Sequence, residues 1–200
     1  LQIASAQHDL APLRKALTQQ SEHKTVSVKM RQEKTLPSLT EPVKSTGYLW
    51  LIPGKAFRWQ LGEPPAQSAL YDGKSVYLLD EKKKTVIRHD ADSRKVKPLL
   101  LMLGIGEGAS FDGMMKVFNV SGVNQKGERY VAVLVPKAGK LKRVIKHMTL
   151  QVNLSTSFME RIEWTQKDGT IVKTEFFRPT LNKPIPRSRF TFDTKAYTWK

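Results

Sequence analysis

The sequence predicts a mainly β fold. It reads as an unclosed half-barrel of about eleven antiparallel strands, with an N-terminal helix and a lid of short helices. Three observations carry this. Apolar residues recur at every second position in short runs from Thr25 onward. Turn residues separate those runs at regular intervals. Helical spacing is confined to the start of the chain and to a segment near its middle. The 200 residues are expected to form a single domain over 1–200. Its parts are a helix over 1–24, a first meander over 25–97, the lid over 98–116, a second meander over 117–192 and a tail over 193–200.

Leu10, Leu13, Ala16 and Leu17 line one face of a helix spanning about 5–23. Ser5 or Asp9 is placed to cap its start. At Thr25 the period changes to two: Val26, Val28 and Met30 alternate with Ser27, Lys29 and Arg31, as in a strand with one buried face. Pro37 and Pro42 cannot donate to a ladder, so 36–42 is a loop. Strands follow over 45–52, 56–61, 68–71, 75–80 and 85–89. Pro53-Gly54, Gly62 with Pro64-Pro65, and the hairpin dipeptide Asp72-Gly73 mark the turns. Strands this short and regular form a meander in which sequence neighbours pair.

The middle of the chain differs. Apart from Lys97, residues 97–103 are apolar and lack β-branched residues after Pro98, which predicts a short helix. Gly104, Gly106 and Gly108 make a flexible connection, and 111–116 is a second helical turn capped by Ser110. The period of two returns over 116–123, 128–136, 145–153, 159–165 and 170–177. The proline-rich stretch 179–186 is expected to be a loop. Phe190 and Phe192 alternate with Arg189 and Thr191 and predict a last short strand. A curled sheet leaves a concave side for the apolar face of a helix, and that arrangement can enclose an apolar cavity.

Composition excludes several classes of function. There is no cysteine, so disulfides, thiol chemistry and Cys-ligated zinc are ruled out. The longest apolar stretches, such as 99–103, are far too short to span a bilayer, so the chain is not expected to be an integral membrane protein. The first residues, Leu1 to Gln7, are expected to be the stub left after a signal peptide is removed. The charge is unusual: 34 Lys and Arg face 18 Asp and Glu, a net +16. The cations are scattered, with small clusters at 82–84 and 137–146. They read either as a solvated basic surface or as a surface that meets anions.

Motifs for catalysis are sparse. No Gly-x-Ser-x-Gly elbow occurs. His8, His23, His89 and His147 never fall at metal-ligand spacing. Gly104-Ile105-Gly106-Glu107-Gly108 lacks the strand and helix that a dinucleotide loop needs. No catalytic residue, metal or cofactor is assigned, and the chain is read as a non-enzyme. Phe57-Arg58-Trp59 mixes aromatic and basic residues, but alternation puts Arg58 on the opposite face from both rings. Nucleic acid is therefore not the expected partner.

Several motifs together resemble the LolA family of periplasmic outer-membrane lipoprotein carriers. They are Gln32-Glu33-Lys34, Gly47-Tyr48-Leu49-Trp50, Phe57-Arg58-Trp59, Asp72-Gly73-Lys74-Ser75-Val76-Tyr77, Asp168-Gly169-Thr170-Ile171 and Arg189-Phe190-Thr191-Phe192. The resemblance implies an unclosed barrel whose cavity carries lipoprotein or lipid acyl chains through the periplasm toward the outer membrane. It also implies inner- and outer-membrane handover proteins as partners. Leu49, Trp50, Phe57, Trp59, Leu70, Tyr77 and Leu79 are the expected cavity lining, with Leu100 and Leu103 from the lid. One departure stands out: Pro53 occupies the position where the family's lid-tethering arginine is expected. The alternative is an envelope interaction or sensor module that uses the same barrel to bind a protein partner.

Overall fold

A computed structural model describes residues 8–93, 96, 100, 103, 105 and 110–200. The first element is α1 (Ala11–Glu22), with Pro12 in its first turn and Leu13, Ala16 and Leu17 buried. Asp9 Oδ1 accepts a hydrogen bond from Ala11 N at 3.0 Å, as expected of a residue that satisfies a free amide at a helix start. The first strands are β1 (Val26–Thr35), β2 (Val43–Ile52) and β3 (Ala56–Leu61). They are followed by β4 (Gln67–Tyr71), β5 (Ser75–Asp80) and β6 (Thr85–Asp90).

Next comes α2 (Phe111–Val117), whose N-cap Ser110 accepts from Gly113 N. Then follow β7 (Phe118–Lys126), β8 (Arg129–Pro136), α3 (Gly139–Val144), β9 (Ile145–Asn153), β10 (Met159–Gln166), β11 (Ile171–Leu181) and β12 (Thr198–Trp199). The expected helix over 97–103 and the glycine-rich 104–108 lie largely outside the described residues. Leu100 and Leu103 are described, and both are buried.

The strands form one open sheet in the order β12-β6-β5-β4-β3-β2-β1-β11-β10-β9-β8-β7. Two runs of antiparallel neighbours meet where β1 pairs with β11. The sheet is curled. Trp59 on β3 meets Phe176 on β11 edge-on, with ring centroids 5.9 Å apart. Three strand spacings in a flat sheet would separate them by roughly 14 Å. Two positions in these strands and their turns require glycine. At Gly47 a Cβ would lie 1.9 Å from the Gln60 carbonyl oxygen, so β3 packs this close only against glycine. Gly73 has φ +99°, and the Asp72 carboxylate accepts from the amides of Lys74 and Ser75 to close the hairpin.

Cross-strand register divides the apolar residues between two faces. On the inner face, Val28 pairs with Leu49, Leu49 with Trp59, Trp59 with Ala69 and Ala69 with Leu78. This row joins Leu13, Ala16 and Leu17 of α1, Tyr130, Leu134, Met148 and Leu150 in the main core. On the outer face, Trp50 pairs with Arg58, Arg58 with Leu70 and Leu70 with Tyr77. Leu70, Leu79 and Val86 form a separate small core there, packed by Tyr77, Phe192 and Tyr197.

The C-terminal segment departs from expectation. Arg187–Phe190 is a 3-10 turn, not a strand. Phe192 packs on Tyr77 with centroids 5.3 Å apart. Its alternation with Phe190 therefore does not reflect sheet pairing. The last strand is β12, which pairs in parallel with β6. β11 continues through Pro179 to Leu181, where a loop was expected. The six-residue α3 lies within the basic 137–146 stretch.

Candidate functional site

A cavity of about 480 Å³ lies between α1 and the inner face of the central strands. Val26 and Val28 of β1, Leu49 and Leu51 of β2, Met159 and Ile162 of β10, and Phe176 and Leu181 of β11 form its apolar wall. These strands are neighbours in the sheet, so their inward side chains form one continuous surface. Gln19, Gln20 and His23 come from α1, and Leu103 from the segment after β6. Asn153, Glu160 and Arg178 supply polar groups. The Glu160 carboxylate is held by Gln151 Nε2 at 3.1 Å and Asn153 Nδ2 at 3.0 Å.

Specific contacts fix the helix over this cavity. The Tyr130 hydroxyl donates to the Asp9 carbonyl at 2.7 Å. Burial, and then the nearby Asp9 charge, push its pKa up to about 12, so it remains a donor. Arg14 pairs with Asp112 of α2 at 3.2 Å and stacks 4.1 Å over the Phe111 ring. After the helix, Lys24 N donates to Asn182 Oδ1 at 2.8 Å, and the Thr25 hydroxyl donates to the Lys183 carbonyl. Both ends of α1 are thereby anchored to the sheet.

The expected lining residues divide three ways. Leu49 and Leu103 line the cavity. Phe57, Trp59 and Leu100 belong to the main core but not to the cavity wall. Trp59 supports that wall through its contact with Phe176. Trp50, Leu70, Tyr77 and Leu79, expected in the lining, instead lie on the outer face. Trp50 follows Leu49 directly in the strand, so alternation turns it away. It stacks on Tyr48 at 5.3 Å instead. Leu70, Tyr77 and Leu79 share the outer core under the C-terminal segment. Sequence reasoning missed Met159, Ile162, Phe176 and Leu181. Their signal was present, since each lies on a strand with a buried alternate row, but only the pairing of β11 with β1 brings that row to the cavity. Pro53 lies in the β2–β3 turn, where Lys55 N donates to the Ile52 carbonyl at 2.9 Å.

Among the described residues no group of three His, Cys, Asp or Glu side chains is placed to hold a metal. Nor is any helix among them long and apolar enough to cross a membrane.

The family model described as outer membrane lipoprotein carrier protein LolA matches residues 21–193. The chain belongs to the LolA family. No curated protein matches it. Among solved structures, this LolA-family chain is similar to an uncharacterized conserved protein of Thermus thermophilus. The TM-score is 0.54 at 9% identity, covering 93% of this chain and 98% of that one. A DUF1329 family protein of Desulfovibrio piger is similar with TM-score 0.51 at 9% identity, over 93% and 96% of the two chains. The MucA/MucB complex of Pseudomonas aeruginosa matches with TM-score 0.46 at 10% identity, over 92% of this chain and 60% of that one. At such identities the first two likenesses are of fold alone.

Proposed function

We propose that this chain is a periplasmic carrier, secreted with a cleaved signal peptide, that holds the acyl chains of a lipoprotein or another lipid. It would move them toward the outer membrane and act by binding rather than catalysis. The observation that carries this reading is the 480 Å³ apolar cavity between α1 and strands β2, β1, β11 and β10. Its size falls within the range of small-molecule sites, about 300–1,000 Å³. Each methylene moved from water into such a space contributes about 0.8 kcal/mol, so a long acyl chain is strongly favoured there. The polar residues at Gln19, Gln20, His23 and Arg178 suit a ligand with one wet end. The net charge of +16 favours approach to anionic headgroups or an acidic handover partner. Pro53 stands where the family's lid-tethering arginine is expected, so ligand release must use other contacts.

Native mass spectrometry of protein purified from cells, followed by organic extraction, tests this. A co-purifying acylated species, or saturable uptake of one fluorescent fatty acid per chain, is the expected result. Leu49→Trp should fill the cavity and abolish that uptake. A clean apo mass with no uptake of added lipid would overturn the carrier reading and favour a module that binds a protein partner.

A further inference from the structure

A second cleft, of about 540 Å³, lies on the outer face of the central strands. Lys29 of β1 and Tyr48 of β2 are cross-strand partners there. Trp50, two residues further along β2, shares their face, and its ring stacks on Tyr48 at 5.3 Å with 16° between planes. The 3-10 turn at Arg187–Phe190 brings in Arg189, whose guanidinium carbon lies 4.5 Å from the Trp50 ring centroid. Lys29 Nζ lies 5.4 Å from the Tyr48 centroid.

A bulge in the β1–β11 pairing adds a third cation. Ser27 pairs with Thr180 and Lys29 with Phe177, which leaves Arg178 and Pro179 opposite Val28. Arg178 is held at φ +55°, a region that side-chain-bearing residues seldom occupy. Bulges of this kind re-aim a side chain, and Arg178 lines the cleft.

These cations differ from others on the same face. Arg31 and Arg161 both pair with Glu175, Arg58 with Glu81 and Lys173 with Glu33. Lys29, Arg178 and Arg189 have no ion-pair partner among the described residues. Glu63 also lines the cleft and interacts with the Tyr48 hydroxyl at 3.4 Å. The cleft thus has three cations against one acid, above a pair of aromatic rings.

We propose that this cleft binds a phosphate group through Lys29, Arg178 and Arg189. Two guanidinium forks and an ammonium match phosphate oxygens in charge and donor geometry. The Tyr48–Trp50 stack offers an apolar footing for the atoms to which the phosphate is esterified. The phosphate belongs either to a lipid headgroup or to a free anion. Arg178 borders both this cleft and the apolar cavity, which favours the headgroup. That last step rests on the acyl-carrier reading; the phosphate site itself does not.

Calorimetric titration at fixed ionic strength tests it, with inorganic phosphate and dihexanoyl phosphatidic acid as separate probes. One site per chain is expected for phosphate. Arg178→Gln or Arg189→Gln should each weaken it about tenfold. Lys142→Gln, an exposed cation on α3, should leave it unchanged. Tighter binding of phosphatidic acid than of phosphate assigns a lipid headgroup, and equal binding assigns a free anion. Leu49→Trp should keep phosphate binding while losing fatty-acid uptake, which separates this site from the cavity. No saturable binding of either probe overturns the proposal, as does an equal loss in Lys142→Gln. Phosphatidic acid that binds wild type and both cleft variants alike also overturns it, while leaving the acyl cavity standing.

Discussion

The two faces of the sheet solve the same packing problem in different ways. Each carries a row of apolar side chains that must leave water. The inner face meets α1 and the segment after β6, and the fit leaves a 480 Å³ cavity. The outer face near β4, β5 and β6 is covered by the chain's own C-terminal residues, where Phe192, Tyr197 and Trp199 pack around Tyr77. Further along that face, at β1, β11 and β10, ion pairs stand in place of such a cover. Arg31 and Arg161 clamp Glu175 at 2.9 and 2.7 Å. An apolar row is therefore not in itself a ligand site. What distinguishes the inner one is a cavity with an apolar wall beneath a helix.

The largest expected effect breaks the inner core outright. Phe57 is 0% exposed, and Phe57→Ala should lower unfolding free energy by about 3–5 kcal/mol in urea denaturation. Leu79→Ala probes the outer core. It should cost about 2–3 kcal/mol, near the low end of the range for leucine truncations because the overlying segment can settle into the gap. Fatty-acid uptake should be unchanged in that variant, and a loss of uptake would show that the two faces are coupled.

A smaller change sharpens the comparison at the outer cover. The Tyr197 hydroxyl donates to Glu81, which also pairs with Arg58 and Lys84. Burial, and then that hydrogen bond, raise the Tyr197 pKa to about 12. Tyr197→Phe removes the donor but leaves Glu81 its cations, so a loss of about 1 kcal/mol is expected in thermal or urea melts.

The smallest effect concerns pH. Burial raises the Glu175 pKa, but the hydrogen bonds from Arg31 and Arg161 and their charges outweigh it, so the net shift is downward from 4.5. A carboxylate with a depressed folded pKa stabilises the fold fully above its unfolded value. That contribution disappears as pH falls through the folded value. Urea midpoints of wild type and Glu175→Gln should therefore differ most above about pH 4.5 and converge in acid. A constant difference across that range would show that the clamp acts through packing alone.

Much of the fold was legible because it depends on local periodicity. Leu13, Ala16 and Leu17 marked α1, Val26, Val28 and Met30 marked the buried face of β1, and Ser110 marked the start of α2. The half-barrel followed from the succession of short strands. Site residues were harder to read. Leu49 and Trp50 both fit the composition of a cavity lining, although alternation alone separates them. Assigning Leu70, Tyr77 and Leu79 to a face required register carried from strand to strand. The aromatic residues at 190 and 192 imitated a strand because sequence does not show that Phe192 rests on Tyr77, more than a hundred positions away. In sequence, Arg178 shows only as the basic end of the aromatic run Phe176-Phe177, since the bulge that aims it depends on how β11 meets β1.

An open sheet has two outer strands, and unpaired backbone along such a strand can template contact with another molecule. β6 would present one of these edges. Thr198 N donates to the Lys84 carbonyl and Lys200 N to the Val86 carbonyl, so two parallel bridges occupy part of it. The short β12 is therefore also a guard against self-association. It occupies hydrogen-bonding positions that a second molecule would otherwise use to extend the sheet.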